Sequence, residues 1–164
     1  MAARYTKICL ILFLTAFALL AGFNNILDYN ANFQFVQNVL SMDSTFADNQ
    51  LMYRAITRPW AWHGAYCMII ALQLATAFCL ALGAGSLWRT RYASCETFDQ
   101  AKKWAIIGLW LAIGLWFFGF SVIAGEWFLM WQSPKWNGLD SAFRFYMTAL
   151  AALVFLCQAE PRAT

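Results

Sequence analysis

The chain has one histidine, His63, and Cys67 follows it by one helical turn. That spacing puts an imidazole and a thiol on one helix face, the least that a nucleophile and its base require. Both residues fall inside a long apolar run, where a thiol is held in its neutral, inert form. The pair therefore reads as two isolated side chains, and no catalytic residue is expected. A haem with two axial histidines is also beyond this chain by itself. A His/Met site, or a haem shared with a partner, is what remains of that chemistry. The five cysteines, Cys9, Cys67, Cys79, Cys95 and Cys157, show no CxxC spacing and avoid the long polar loops. A secreted disulfide framework would place them in those loops. No metal site is expected.

The remaining chemistry-bearing residues gather where apolar runs end: Asn24, Asn25, Asp28, Asn32, Asn38, Asp43, Arg54, Arg58, His63, Glu126 and Arg144. Polar groups at such depths must find partners. Because their signs alternate, the expected arrangement is a hydrogen-bonded cap that locks the outer loops over a helical bundle. The functional alternative is a site on the same face for a headgroup, a small ligand or a partner protein.

The elements that carry these residues follow from hydropathy. Hydrophobic residues make up 62% of the 164 and charged residues 12%, about half the charge of an ordinary soluble domain. Crossing the ~30 Å hydrocarbon core takes about 20 apolar residues, and four segments qualify: about 8–27, 60–87, 104–130 and 142–157. The expected fold is an all-α, polytopic four-helix membrane bundle forming one domain over 1–164, with outer segments 28–59 and 131–141. Pro59 suits a first helical turn, and Thr57 is its expected cap. Thr97 and Gln100 have capping-box spacing, and Asn137 and Asp140 compete to cap the fourth span. The first run exceeds the usual signal-peptide core and lacks a clean A-x-A site, so a retained anchor is expected.

Lysines and arginines set the orientation. Arg4, Lys7, Arg89, Arg91, Lys102, Lys103 and Arg162 fall on the side of the termini, against Arg54, Arg58, Lys135 and Arg144 opposite. Both termini are expected in the cytoplasm. Tryptophans and tyrosines mark both expected membrane surfaces; Trp110 and Trp116 are exceptions within the third span. Between the two aromatic belts the spans hold no acid or base, and Gln73 with a few serines and threonines is the only polar content there. A pump or ion-coupled carrier is thereby disfavoured. A net charge of +3 with no basic run does not point to nucleic acid.

The first outer segment is patterned. "NANFQFVQNVLSM" puts Phe33, Val36 and Leu40 on one face, and "ADNQLMYRAI" does the same for Leu51, Met52, Ala55 and Ile56. Two short amphipathic helices are expected there. Small residues at i+4, in Ala77/Ala81/Gly85, Gly108/Ala112 and Ser121/Gly125, offer faces for close helix packing or for self-association. "SMDSTF" and "GLDSAF" hint at a repeat that would pair Asp43 with Asp140 and Phe46 with Phe143.

Together, "AGFNNILDYNANFQFVQNVLSMDSTF", "YRAI" and "WNG" followed by "AFRF" resemble the bacterial family of predicted small integral membrane proteins, across nearly the whole chain. The resemblance implies four membrane helices and a bacterial inner membrane. It supplies neither an activity nor catalytic residues. The functional expectation is a non-catalytic accessory or interaction subunit that uses its periplasmic face, with the lipid bilayer and a membrane-protein complex or a second copy as partners. A quinone- or haem-associated redox subunit, with Trp110, Trp116 and His63 near the ligand, is the alternative. A channel or carrier is the least supported.

Overall fold

The computed structural model describes residues 1–160, and Arg162 lies outside the described residues. All regular elements among the described residues are helical. Helix α1 spans Ala2–Leu27, α2 Tyr29–Ser41 and α3 Pro59–Arg89. A short α4, Cys95–Gln100, leads into α5, Lys103–Ile113, and α6 spans Leu139–Cys157. Beyond Ile113 the fifth helix continues as a π-helix over Gly114–Trp127. Four stretches are long and apolar enough to cross a membrane: α1, α3, Cys95–Trp127 and α6. Four crossings put both ends of the described chain and the α3–α4 connection on one face, here the terminal face. Helix α2 and the 128–138 connection occupy the other, the loop face.

The helix ends obey local chemistry, with several departures from the sequence expectation. Pro59 does open α3, but Arg58 is its N-cap residue and no side chain, Thr57 included, caps the turn. Ser94 caps α4 by accepting from the Thr97 amide at 3.3 Å, displacing the expected Thr97/Gln100 box. Gly138 precedes α6, where Asn137 Oδ1 accepts from the Leu139 amide at 3.1 Å and Asp140 makes no cap. The π-helix ends with the Phe128 amide on the Ile123 carbonyl, five residues back, at 3.1 Å. Leu129 then takes φ 54°, a left-handed conformation that costs a β-carbon residue about 1 kcal/mol.

Of the two amphipathic helices expected on the loop face, the first is α2, which buries Val36 and Val39. The second shrinks to one 3₁₀ turn, Met52–Arg54. Local side-chain bonds compete with helix there: Asn49 Oδ1 accepts from the Leu51 amide at 2.8 Å and the Thr45 hydroxyl donates to the Met42 carbonyl at 2.9 Å. The suggested repeat is not realised in the backbone. Asp43 lies in the turn after α2, whereas Asp140 lies in the first turn of α6.

The bundle is closed most tightly in its terminal half. Ile8 and Ile11 of α1, Leu80, Ala84 and Leu87 of α3, Phe98, Leu109 of α5 and Ala149, Ala152 and Leu156 of α6 form one buried cluster. Gly83 lets α5 lie directly on α3, because a β-carbon there would collide with the Ala105 backbone. Gly108 does likewise, with a β-carbon falling 2.7 Å from Leu80 Cγ. The small-residue face in use on α3 is thus Gly83 and Ala84; Ala81 and Gly85 of the expected stripe are exposed.

An ionic clasp completes the terminal face. The buried Glu160 carboxylate meets Lys7 Nζ at 2.5 Å, Arg4 Nε at 3.4 Å and Lys102 Nζ at 3.7 Å. Arg4 also donates to the Arg91 and Ala93 carbonyls at 2.9 and 2.7 Å, and both lysines donate to the Gln158 carbonyl. Residues counted in the sequence only as topology signals therefore tie α1, the α3–α4 turn, α5 and the segment after α6 together.

Gly83→Ala is expected to lower stability by about 1–3 kcal/mol, the usual cost of overpacking. Gly64→Ala, where nothing lies within 4 Å of the added carbon, should be neutral or gain up to ~1 kcal/mol of helix propensity. Thermal unfolding of both variants in the same detergent measures the difference; equal midpoints would contradict the close α3–α5 contact.

Candidate functional site

Toward the loop face the same four helices separate and leave a crevice in two connected chambers. The deeper one, about 430 Å³, is almost wholly apolar, with walls that include Leu10 and Leu14 of α1, Leu80 of α3 and Leu109 of α5. The outer one, about 460 Å³, ends at the loop face among Asn24, Asn32, Asn137 and Ser141. Phe17, Ala21, Gln73, Trp116 and Phe145 line both chambers and so form their junction. These volumes are those of small-molecule sites. Among the described residues, no charged one lines either chamber. Phe13, 72% exposed, is part of the deeper wall, so the crevice also opens sideways between α1 and α6 toward lipid.

Local sequence explains the separation. Phe17, Phe145, Trp116 and Phe120 hold each other at ring distances of 4.6–4.8 Å (Phe17–Phe145, Trp116–Phe145 and Trp116–Phe120). Such rings keep helices apart where the glycines and alanines of the terminal half draw them together. The π-helix widens the third span over the same depth and supplies Trp116 and Phe120. Stretches of π-helix are rare and concentrate at functional sites.

A ladder of amides runs down one wall. Asn32 Nδ2 donates to Asn25 Oδ1 at 2.7 Å, and Asn25 Nδ2 donates to Gln73 Oε1 at 2.8 Å. The Tyr66 hydroxyl donates to the Asn25 carbonyl at 3.4 Å. With Asn25 and Gln73 both buried, these bonds satisfy groups whose desolvation would otherwise cost a few kcal/mol. The ladder stops short of Thr76, one turn beyond Gln73 and 3% exposed. Its hydroxyl is buried without a hydrogen-bond partner, although it lines the deeper chamber.

The eleven polar residues singled out from the sequence divide into separate groups. Asn24, Asn25 and Asn32 belong to the crevice. His63 lies on the outer side of α3, its ring 4.2 Å from that of Phe33 and its Nδ1 2.9 Å from the Tyr29 hydroxyl; it lines neither chamber. Burial, and then the Cys67 contact, hold that hydroxyl above the ordinary phenol range. Arg54 lies on Trp127, 4.4 Å from the ring centroid, and shares a shallow depression with Glu126. Asp28 links α1 to α2, Arg58 precedes α3, and Asp43 is exposed in its turn. Asn38 and Arg144 bond backward within their own helices, to the Gln34 and Asp140 carbonyls. Among the described residues, every ion pair lies on the terminal face.

Sequence reasoning singled out Gln73 and Trp116 as anomalies of their spans but left Thr76, Asn137 and Ser141 out of the site. Thr76 carried a readable signal, since it repeats the Gln73 face three residues on. Asn137 and Ser141 carried none, being drawn in by tertiary packing. Trp110, paired with Trp116 in the sequence reading, is 61% exposed and faces away from the crevice.

Asn25→Ala is expected to cost about 1–3 kcal/mol, because it strands the Gln73 amide. Adding Gln73→Leu should recover part of that loss. A double-mutant cycle of unfolding free energies reads this coupling, and simple additivity would refute the ladder.

No curated protein and no solved structure matches the chain. One family does, described as predicted small integral membrane protein (DUF2165), over residues 3–159. With four apolar helices of spanning length and a family match covering almost all of it, the chain belongs to this family of small integral membrane proteins and meets the lipid bilayer along its spans.

Proposed function

We propose that the protein is a non-catalytic accessory subunit of a bacterial inner membrane. It takes one amphipathic, lipid-like molecule from the bilayer into the crevice and presents the polar end at the loop face, to a membrane complex. The observation that carries this reading is the crevice itself: a cavity continuous from apolar, lipid-depth walls to an uncharged polar mouth. A bundle needing only to be stable would fill such a space, since an unfilled cavity forfeits packing energy. The lateral opening between α1 and α6 gives a bilayer molecule its entry.

The distribution of lysine and arginine supports a cytoplasmic terminal face and a periplasmic loop face. An accessory role fits a crevice whose described walls carry neither a charge nor a nucleophile–base pair. The redox alternative is favoured by one feature, Trp116 at the junction, and only in its quinone form, because His63 lines neither chamber.

The test is occupancy. Native mass spectrometry of protein extracted in mild detergent should find one retained lipid-like molecule. Ala21→Trp, which fills the junction, should abolish retention while helical circular dichroism is preserved. A wild type that retains nothing, or a variant that retains the same molecule, would overturn the reading. In a background without native cysteines, Ser141→Cys should react with an impermeant maleimide added outside intact cells; reaction only in inverted vesicles would reverse the orientation.

A further inference from the structure

We infer that the crevice is built for an uncharged, flat, carbonyl-bearing ring on an apolar tail, the chemistry of a membrane quinone. This rests on the crevice being the working site and names the class of molecule that fills it. Three observations select the class. First, a phosphate or ammonium headgroup entering either chamber would meet no counter-charge, and an unpaired ion is costly in such surroundings. Second, the polar groups left over on this wall, Gln73 at the junction and Thr76 one turn deeper, can both donate. The Gln73 amide has its oxygen committed to Asn25, which leaves its NH₂ group. The Thr76 hydroxyl is buried and has no hydrogen-bond partner among the described residues. Both sit on one face of α3; the hydroxyl can accept as well as donate, but a carbonyl oxygen is a partner to which both groups can donate.

Third, the walls at the same depth are aromatic. Trp116 and Phe145 lie 4.6 Å apart at an interplanar angle of 52°, and Phe17 lies 4.8 Å from Phe145. Aromatic faces favour a flat ring as an offset-stacked neighbour. A second carbonyl across such a ring would face the mouth, where Ser141 and Asn137 stand. The tail has the deeper, apolar chamber to occupy. Binding alone is inferred, with no electron transfer.

Thr76 makes the inference testable without a folding artefact. Its hydroxyl bonds to nothing among the described residues, so Thr76→Val removes an unsatisfied group and should leave unfolding unchanged or slightly later. The same substitution should weaken binding of decylubiquinone by about tenfold, the worth of about 1.4 kcal/mol. Gln73→Leu should act in the same direction. Binding is read by calorimetry on detergent-solubilised protein with decylubiquinone, dodecanol and dioleoylglycerol. Quinone binding that is unaffected by Thr76→Val, or weaker than that of dioleoylglycerol, overturns the quinone inference and leaves the crevice reading standing. Failure of all three probes to bind overturns both.

Discussion

The architecture turns on how closely α3 and α5 approach at Gly83. With no β-carbon there, the backbone of Ala105 can lie directly against α3, and Gly108 repeats the device one turn away against Leu80. Helices pinned this tightly at one end must part at the other if the residues farther along are large. Here they are: Phe17, Trp116, Phe120 and Phe145 stand where small residues would have let the bundle close. The Glu160 clasp reinforces the pinned end, and α2 covers one side of the open end. The crevice is the space these constraints leave between α1 and α6.

Polar groups follow the same division. On the terminal face, three cations surround one buried carboxylate, and their remaining protons go to carbonyls of turns and chain ends. A buried ionic cluster is weak evidence for net stability, but its breadth fixes how four chain segments meet. At bilayer depth no charge is used. Amides pass hydrogen bonds from Asn32 to Asn25 to Gln73, and the series ends at a hydroxyl with nothing to bond. Among the described residues the other buried orphans, Arg54 Nε and Arg91 Nε, belong to the loop and terminal faces, so the hydroxyl is the one at bilayer depth and marks where the protein is incomplete by itself.

Much of the fold was legible in the residues. Runs of about 20 apolar positions announce spans whatever surrounds them, and Phe33, Val36 and Leu40 announce α2. What escaped did so for physical reasons. An apolar run reads the same whether it winds as α or π, so the Gly114–Trp127 segment left no mark in hydropathy. The second amphipathic stretch was too short to beat the turn-forming bonds of Thr45 and Asn49. Arg4, Lys7 and Lys102 were visible as charges, but their convergence on Glu160 depends on packing between distant segments, Lys7 and Glu160 being 153 residues apart. Gln73 stood out because polar residues are costly in a span; Thr76 repeats its face three residues on, a fainter signal because threonine so readily satisfies itself on a helix. The crevice, a property of the spaces between helices, had no sequence signature beyond these two residues, Trp116 and the asparagines Asn24, Asn25 and Asn32.

The account stands on the crevice being an occupied site rather than a packing defect. An experimental density map of the protein in nanodiscs of its native lipids tests this most directly. The account predicts elongated non-protein density between α1 and α6, its flat end against Trp116 and Phe145 within hydrogen-bonding reach of Gln73 and Thr76. Helices α1 and α6 closed against each other, with Phe17 and Phe145 filling the space and the Thr76 hydroxyl bonded within its own helix, would contradict it.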